Sequence, residues 1–148
     1  MNKYLTVFAL FALLFVACNS NVKRPADNLL MTADEANKVI WVYDEEKEVF
    51  VRNRTFNPDT LTPQKLLDII NTDKIHTDFV KISGDTIFIA IKESTYLTQQ
   101  IGTTGAYDFM GTATYTLTEL KGIHCVNFNF EEGDHAHPGT YGRKDFLR

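Results

Sequence analysis

The sequence has no basic block, no apolar run long enough to cross a bilayer and too few cysteines to staple a fold. Its 15 Lys and Arg are outnumbered by 19 Asp and Glu. It therefore lacks the surplus of cations with which nucleic-acid binders neutralise phosphates. The longest apolar stretch, Leu5–Ala17, is broken only by Thr6 and falls short of the roughly 20 residues a spanning helix needs. Cysteine occurs twice, at Cys18 and Cys125, too few for a disulfide framework. There is no fixed-period repeat, no Gly-x-Ser-x-Gly, no His-Glu-x-x-His and no Gly-rich nucleotide fingerprint. At 148 residues and 44% apolar, the chain is neither disordered nor a multi-pass membrane protein, and its length suits one domain.

What is present begins with an address. Lys3 supplies a positive start, Leu5–Ala17 has the proportions of a signal-peptide core, and polar Asn19-Ser20-Asn21 follows at once. Phe15-Val16-Ala17-Cys18 resembles a bacterial lipobox, with Phe15 where Leu is usual. The resemblance implies that residues 1–17 are a lipoprotein signal peptide and that Cys18 carries diacylglycerol, with a further acyl chain such as palmitate. Two or more chains anchor a protein firmly where one does not. Asn19 stands where many inner-membrane lipoproteins carry Asp, which implies the periplasmic face of the outer membrane. Lipidation of Cys18 leaves Cys125 without an intramolecular disulfide partner. Residues 18–31, the lipidated Cys and a polar stretch containing Pro25, read as a flexible tether. That leaves residues 32–148 as a single domain.

Within that domain Thr32-Ala33-Asp34-Glu35 fits a capping box. Val39–Tyr43 and Val49–Val51 are β-branched and aromatic runs joined by the charged loop Asp44–Glu48, the pattern of a hairpin. A helix follows over Thr62–Asn71, with Thr62 as N-cap, Pro63 first and Leu61 with Leu66 as a staple. Phe79–Ile82 and Thr86–Ile91 form a second hairpin around Ser83-Gly84-Asp85, with Ile87, Ile89 and Ile91 on one face. A second helix is expected from about Thr104 to Lys121-Gly122, its stripe Ala106, Phe109, Met110, Ala113, Leu117 and Leu120. Gly111 either weakens this helix by about 1 kcal/mol relative to Ala or admits another element closely. Ile123–Phe130 is the final strand, with Val126, Phe128 and Phe130 pointing one way. The order hairpin-helix-hairpin-helix-strand predicts an α+β fold with two helices packed on one face of a mixed β-sheet.

Residues Lys38 to about Glu132 resemble a GerMN domain, a family named from sporulation and spore-germination lipoproteins. The residues that carry the likeness are Val39–Tyr43 with Val49–Arg54, Thr62–Asn71, Gly84–Ile91, and Ala113–Ile123 with its Thr116-Leu117-Thr118 core, then Val126. The resemblance implies a binding or scaffolding module of the cell envelope. It implies no catalytic residues and no cofactor, and a partner that is another envelope protein or peptidoglycan.

Chemistry is weighed at four places. Asp134, His135 and His137, beside Glu131 and Glu132, could ligate a metal, since alternate residues of an extended chain share a side. This gives the alternative reading, a small periplasmic metal-binding protein or hydrolase. Gly102-Thr103-Thr104-Gly105 could cradle an anion or a partner at a helix N-terminus. The adjacent pair His124-Cys125 points to opposite faces, so Cys125 reads as a small buried apolar residue rather than a nucleophile. Asp44–Glu48 lacks the ligand order of a calcium loop and reads as a solvated hairpin tip.

Overall fold

The computed structural model describes residues 38–147; the expected signal peptide, Cys18, the expected tether and the expected capping box at Thr32–Glu35 lie outside them. Strands β1 (Trp41–Asp44) and β2 (Val49–Arg52) pair antiparallel as a two-stranded sheet of their own. Val39 and Ile40, placed at the start of the first strand by pattern, precede it as fully buried residues. Asp44 closes the hairpin loop by accepting from the Lys47 backbone N–H at 3.1 Å.

Helix α1 (Pro63–Ile70) starts as its punctuation requires. The Thr62 hydroxyl accepts from the Lys65 N–H at 3.3 Å, Pro63 takes the first position, and Asn71 closes the other end. Leu66, Leu67 and Ile70 are buried, while Leu61 and Ile69 are partly covered.

The main sheet has four strands in the order β3 (Asp78–Ser83), β4 (Thr86–Ala90), β5 (Cys125–Asn129) and β6 (Gly139–Gly142). The β3–β4 hairpin turns through Gly84-Asp85, where Gly84 takes a φ of 62°. β4 and β5 are parallel and need a crossover. A π-helical turn at Tyr96–Gln100 and helix α2 (Gly102–Leu117) supply it. Residues 95–100 are thus helical. Gly102, at φ 78°, is the left-handed joint between the two pieces.

The core face of the sheet carries Ile87, Ile89, Val126 and Phe128, each at most 1% exposed. Their alternation with half-exposed neighbours shows that the helix layer covers one face. The α+β class and one-sided helix packing therefore hold, with the first hairpin forming a separate sheet.

Three expectations need correction. α2 runs from Gly102 to Leu117, so Leu120, Lys121 and Gly122 belong to the turns after it. It also lacks a single apolar stripe, because Asp108, Thr112, Thr114 and Thr116 are buried as well. The reason is the first hairpin, which packs on α2 in addition to the sheet and α1. Gly111 marks that contact: a Cβ there would lie 2.1 Å from Phe50 Cζ. Finally, the strand predicted at Ile123–Phe130 spans Cys125–Asn129 and is not the final one. β6 extends the sheet antiparallel to β5, and a 3-10 turn at Arg143–Phe146 places Phe146 in the core.

An aromatic cluster joins these parts. Phe50 stacks on Tyr115 at 4.8 Å between centroids and meets Tyr43, Tyr107 and Phe146 at 5.0, 6.0 and 6.1 Å. Tyr141 bridges from Phe146 to Phe128.

Candidate functional site

The most elaborate polar arrangement gathers residues from three distant parts of the chain. β1 contributes Trp41, β2 contributes Arg52, the turn after α2 contributes Thr118 and Glu119, and the C-terminal 3-10 turn contributes Arg143. Glu119 Oε1 accepts from Trp41 Nε1 at 2.9 Å and from the Nη2 atoms of Arg52 and Arg143, each at 2.7 Å. Arg143 is oriented further: its Nε donates to Thr118 Oγ1 at 2.8 Å and its Nη2 to the Tyr115 carbonyl at 3.0 Å. Both guanidinium groups lie over the Trp41 ring, at 4.7 and 5.0 Å from its centroid. Arg143 also sits 5.0 Å from the Tyr115 ring. Planar cations over indole gain from its quadrupole as well as from the carboxylate.

Burial alone would raise the Glu119 carboxyl, and it is the largest single influence. The hydrogen bonds from Arg52, Arg143 and Trp41 together outweigh it and hold the group below its ordinary value. Glu119 is accordingly an anion at neutral pH, one negative charge between two guanidinium groups.

Beside this cluster lies an open depression of ≈ 580 Å³. Arg52, Arg143 and Glu119 line it together with Lys121, Gly122 and His124. Among the described residues, the Lys121 and His124 side chains make no hydrogen bond or ion pair. None of this group was singled out by sequence for binding, because 67 residues separate Arg52 from Glu119 and 24 separate Glu119 from Arg143. No spacing rule joins positions so far apart.

The residues that sequence did single out fall elsewhere. Gly102–Gly105, the first turn of α2, and the His135 segment, offered as separate candidates, meet: Thr103 Oγ1 lies 3.3 Å from His135 Nδ1. The His135 backbone N–H donates to the Thr98 carbonyl at 3.0 Å. Gly105 has a packing reason, since a Cβ there would sit 2.3 Å from Ile101 Cγ1.

The metal expectation is not met by geometry. His137 Nδ1 engages Glu132 at 2.8 Å in an exposed pair, while His135 turns to Thr103 with buried Ala136 between them. Among the described residues no three His, Cys, Asp or Glu side chains are grouped to hold an ion. The segment is not evenly extended: the chain bends at Asp134 and His135, and the Gly133 N–H bonds the Ala136 carbonyl.

Cys125 is half-buried rather than buried, at the start of β5 on the face opposite Val126. Its neighbour His124 donates its backbone N–H to the Asp85 carbonyl.

A second surface stands out at the sheet edge. Phe79, Val80 and Ile82 of β3 are 43, 52 and 45% exposed. Phe79 and Ile82 pair with Ile89 and Ile87, so they lie in the same cross-strand rows as the core face but remain part-exposed on the edge strand.

Among the described residues no helix is long and apolar enough to cross a membrane. Compared with protein-family models, curated proteins and solved structures, the chain matches none.

Proposed function

We propose that the chain is a lipid-anchored bacterial envelope protein whose GerMN-like domain is a non-catalytic binding or scaffolding module. In this reading Cys18 tethers it to the periplasmic face of the outer membrane, and its partner is another envelope protein or the cell wall. The observation that supports a docking role is the apolar edge of β3. Contiguous exposed Phe, Val and Ile are unusual for a surface with no partner. The register shift between Phe79 and Lys81 interrupts the backbone edge, and Lys81, held 4.8 Å from the Phe88 ring, adds a charge there. Both features discourage strand addition. The contact is therefore made by side chains, with Phe79, Val80 and Ile82 as its apolar centre.

A photo-crosslinking residue placed at Val80 tests this in intact envelopes. The reading expects a discrete adduct that disappears when Phe79→Ser and Ile82→Thr are combined, and none from a probe at Asp68 on the exposed face of α1. An adduct indifferent to those substitutions, or no adduct at all, contradicts it. So does turnover of a wall fragment by the purified chain. For the anchor, Cys18→Ala abolishes lipid labelling and membrane retention; retention without the lipid refutes the assignment.

A further inference from the structure

We propose that the depression between the turns after α2 and the Arg52–Arg143 pair binds a phosphate monoester, with Arg52, Arg143 and Lys121 as its cationic contacts. This goes beyond the docking role of β3 and uses none of its residues.

The first ground is charge. The whole chain carries a net −4, yet the depression collects Arg52, Lys121, Arg143 and His124 against Glu119 alone. With His124 neutral the lining keeps two positive charges beyond the one that Glu119 offsets. A dianion matches that excess, whereas a single carboxylate leaves half of it uncompensated.

The second ground is the donor inventory. A guanidinium offers five N–H donors in a rigid fork. Among the described residues Arg52 commits only Nη2, to Glu119. Arg143 commits Nε and Nη2 and keeps Nη1. The remaining donors are fixed in orientation by Glu119, Thr118 and the Trp41 face. Preorganised guanidinium groups suit phosphate oxygens, which accept parallel charge-assisted bonds.

The third ground separates a binding site from a structural pin. Fastening the first hairpin to the end of α2 explains Trp41, Arg52, Glu119 and Arg143. It does not explain Lys121 and His124, which add basic groups to the same depression and contribute no intramolecular side-chain bond. Glu119 thus has two roles, clamping the hairpin and aiming the guanidinium groups. The depression, at ≈ 580 Å³ and open to solvent, leaves room for the alcohol part of an ester.

The test uses the full chain in zwitterionic micelles, followed by backbone amide NMR. Inorganic phosphate and glycerol 3-phosphate are titrated against acetate and chloride at matched ionic strength. Saturable shifts at Lys121, Gly122 and His124 are expected with both phosphates, with acetate at least about fivefold weaker. Lys121→Gln, which breaks no internal contact, weakens phosphate binding about threefold and leaves the melting temperature unchanged. Arg52→Gln weakens it about tenfold. Vesicles containing phosphatidic acid distinguish the source: binding to these without binding to glycerol 3-phosphate assigns the phosphate to a lipid headgroup, and the reverse to a soluble ester. The proposal is overturned if neither a soluble phosphate nor the phosphatidic acid vesicles bind saturably, if acetate or chloride matches phosphate, or if Lys121→Gln binds as the parent does.

Discussion

Replacing Gly111 by Ala sets two effects of opposite sign against each other. In a solvent-facing helix the change stabilises by about 1 kcal/mol, since Ala loses less backbone entropy. Here the new methyl would sit 2.1 Å from Phe50 Cζ, 2.7 Å from Cε2 and 2.8 Å from Cε1. Ordinary contact requires 3.4 Å or more, so ring and helix must separate by more than 1 Å. Phe50 cannot swing aside. It is 8% exposed, stacks on Tyr115 with planes 20° apart, and is hemmed in by Tyr43, Tyr107 and Phe146. Its backbone is fixed opposite Tyr43 in the hairpin. Overpacking of this kind costs about 1–3 kcal/mol, and loss of the Phe50–Tyr115 stacking adds about 0.5–1.5 kcal/mol. The balance is a loss of about 0.5–3.5 kcal/mol, or roughly 2–20 °C in melting temperature for a domain of this size.

Urea and thermal melts of Gly111→Ala, Phe50→Leu and the double variant measure this. Phe50→Leu removes the ring atoms that clash, so it should cost at least about 0.5 kcal/mol less in the Gly111→Ala background than in the parent. A Gly111→Ala variant as stable as the parent, or more so, would refute the close approach of hairpin and helix.

Glu119→Gln should destabilise by about 1–3 kcal/mol at neutral pH, because two guanidinium groups lose their counter-charge. The Glu119 carboxyl is depressed in the folded state, so its contribution is present above its unfolded value and disappears as pH falls through the folded one. The stability gap between parent and variant should therefore close on acidification, which urea melts from pH 7 to pH 3 would show. Phe146→Ala should cost about 3–5 kcal/mol in the same melts, since a 4% exposed ring leaves the aromatic cluster. Thr62→Ala should cost about 1 kcal/mol through loss of the α1 cap, most of it visible as faster amide exchange at Lys65. Added Zn²⁺ or EDTA should leave the melting temperature unchanged, because His135 and His137 are engaged separately; a rise with Zn²⁺ would reopen the metal reading.

Legibility in the sequence followed the range of the forces involved. α1 could be bounded within a residue at each end, because Thr62, Pro63 and Asn71 act on their own neighbours. The rows Ile87, Ile89 and Val126, Phe128 were visible because strand alternation is a local pattern with one buried face. α2 was located but its environment was not: Thr112, Thr114 and Thr116 are polar by type and buried by context, since the hairpin arrives from some 60 residues earlier in the chain. β6 was missed for a related reason. Gly139-Thr140-Tyr141-Gly142 has little strand pattern of its own and is recruited by the free edge of β5, with Asn127 Nδ2 donating to Thr140 Oγ1 at 2.8 Å. The depression was invisible because it exists only where three segments converge. Gly111 is the instructive case between these extremes. Its two readings could be written down from sequence, and only the position of Phe50 chose between them.

The joining of distant segments has a consequence for synthesis. Trp41, Phe50 and Arg52 are made some 90 residues before Arg143 and Phe146, which complete the structure they begin. A nascent chain that has not yet reached residue 139 has its hairpin and helices specified. It still lacks the Phe146 ring against Tyr107 and Phe50 and the Arg143 bond to Glu119. Such an intermediate exposes part of an aromatic surface and one edge of β5, so proteases and chaperones would meet it as an unfolded client. Once β6 and the 3-10 turn after it have emerged, the same surface is concealed, and that turn acts as the latch on a hairpin made long before it.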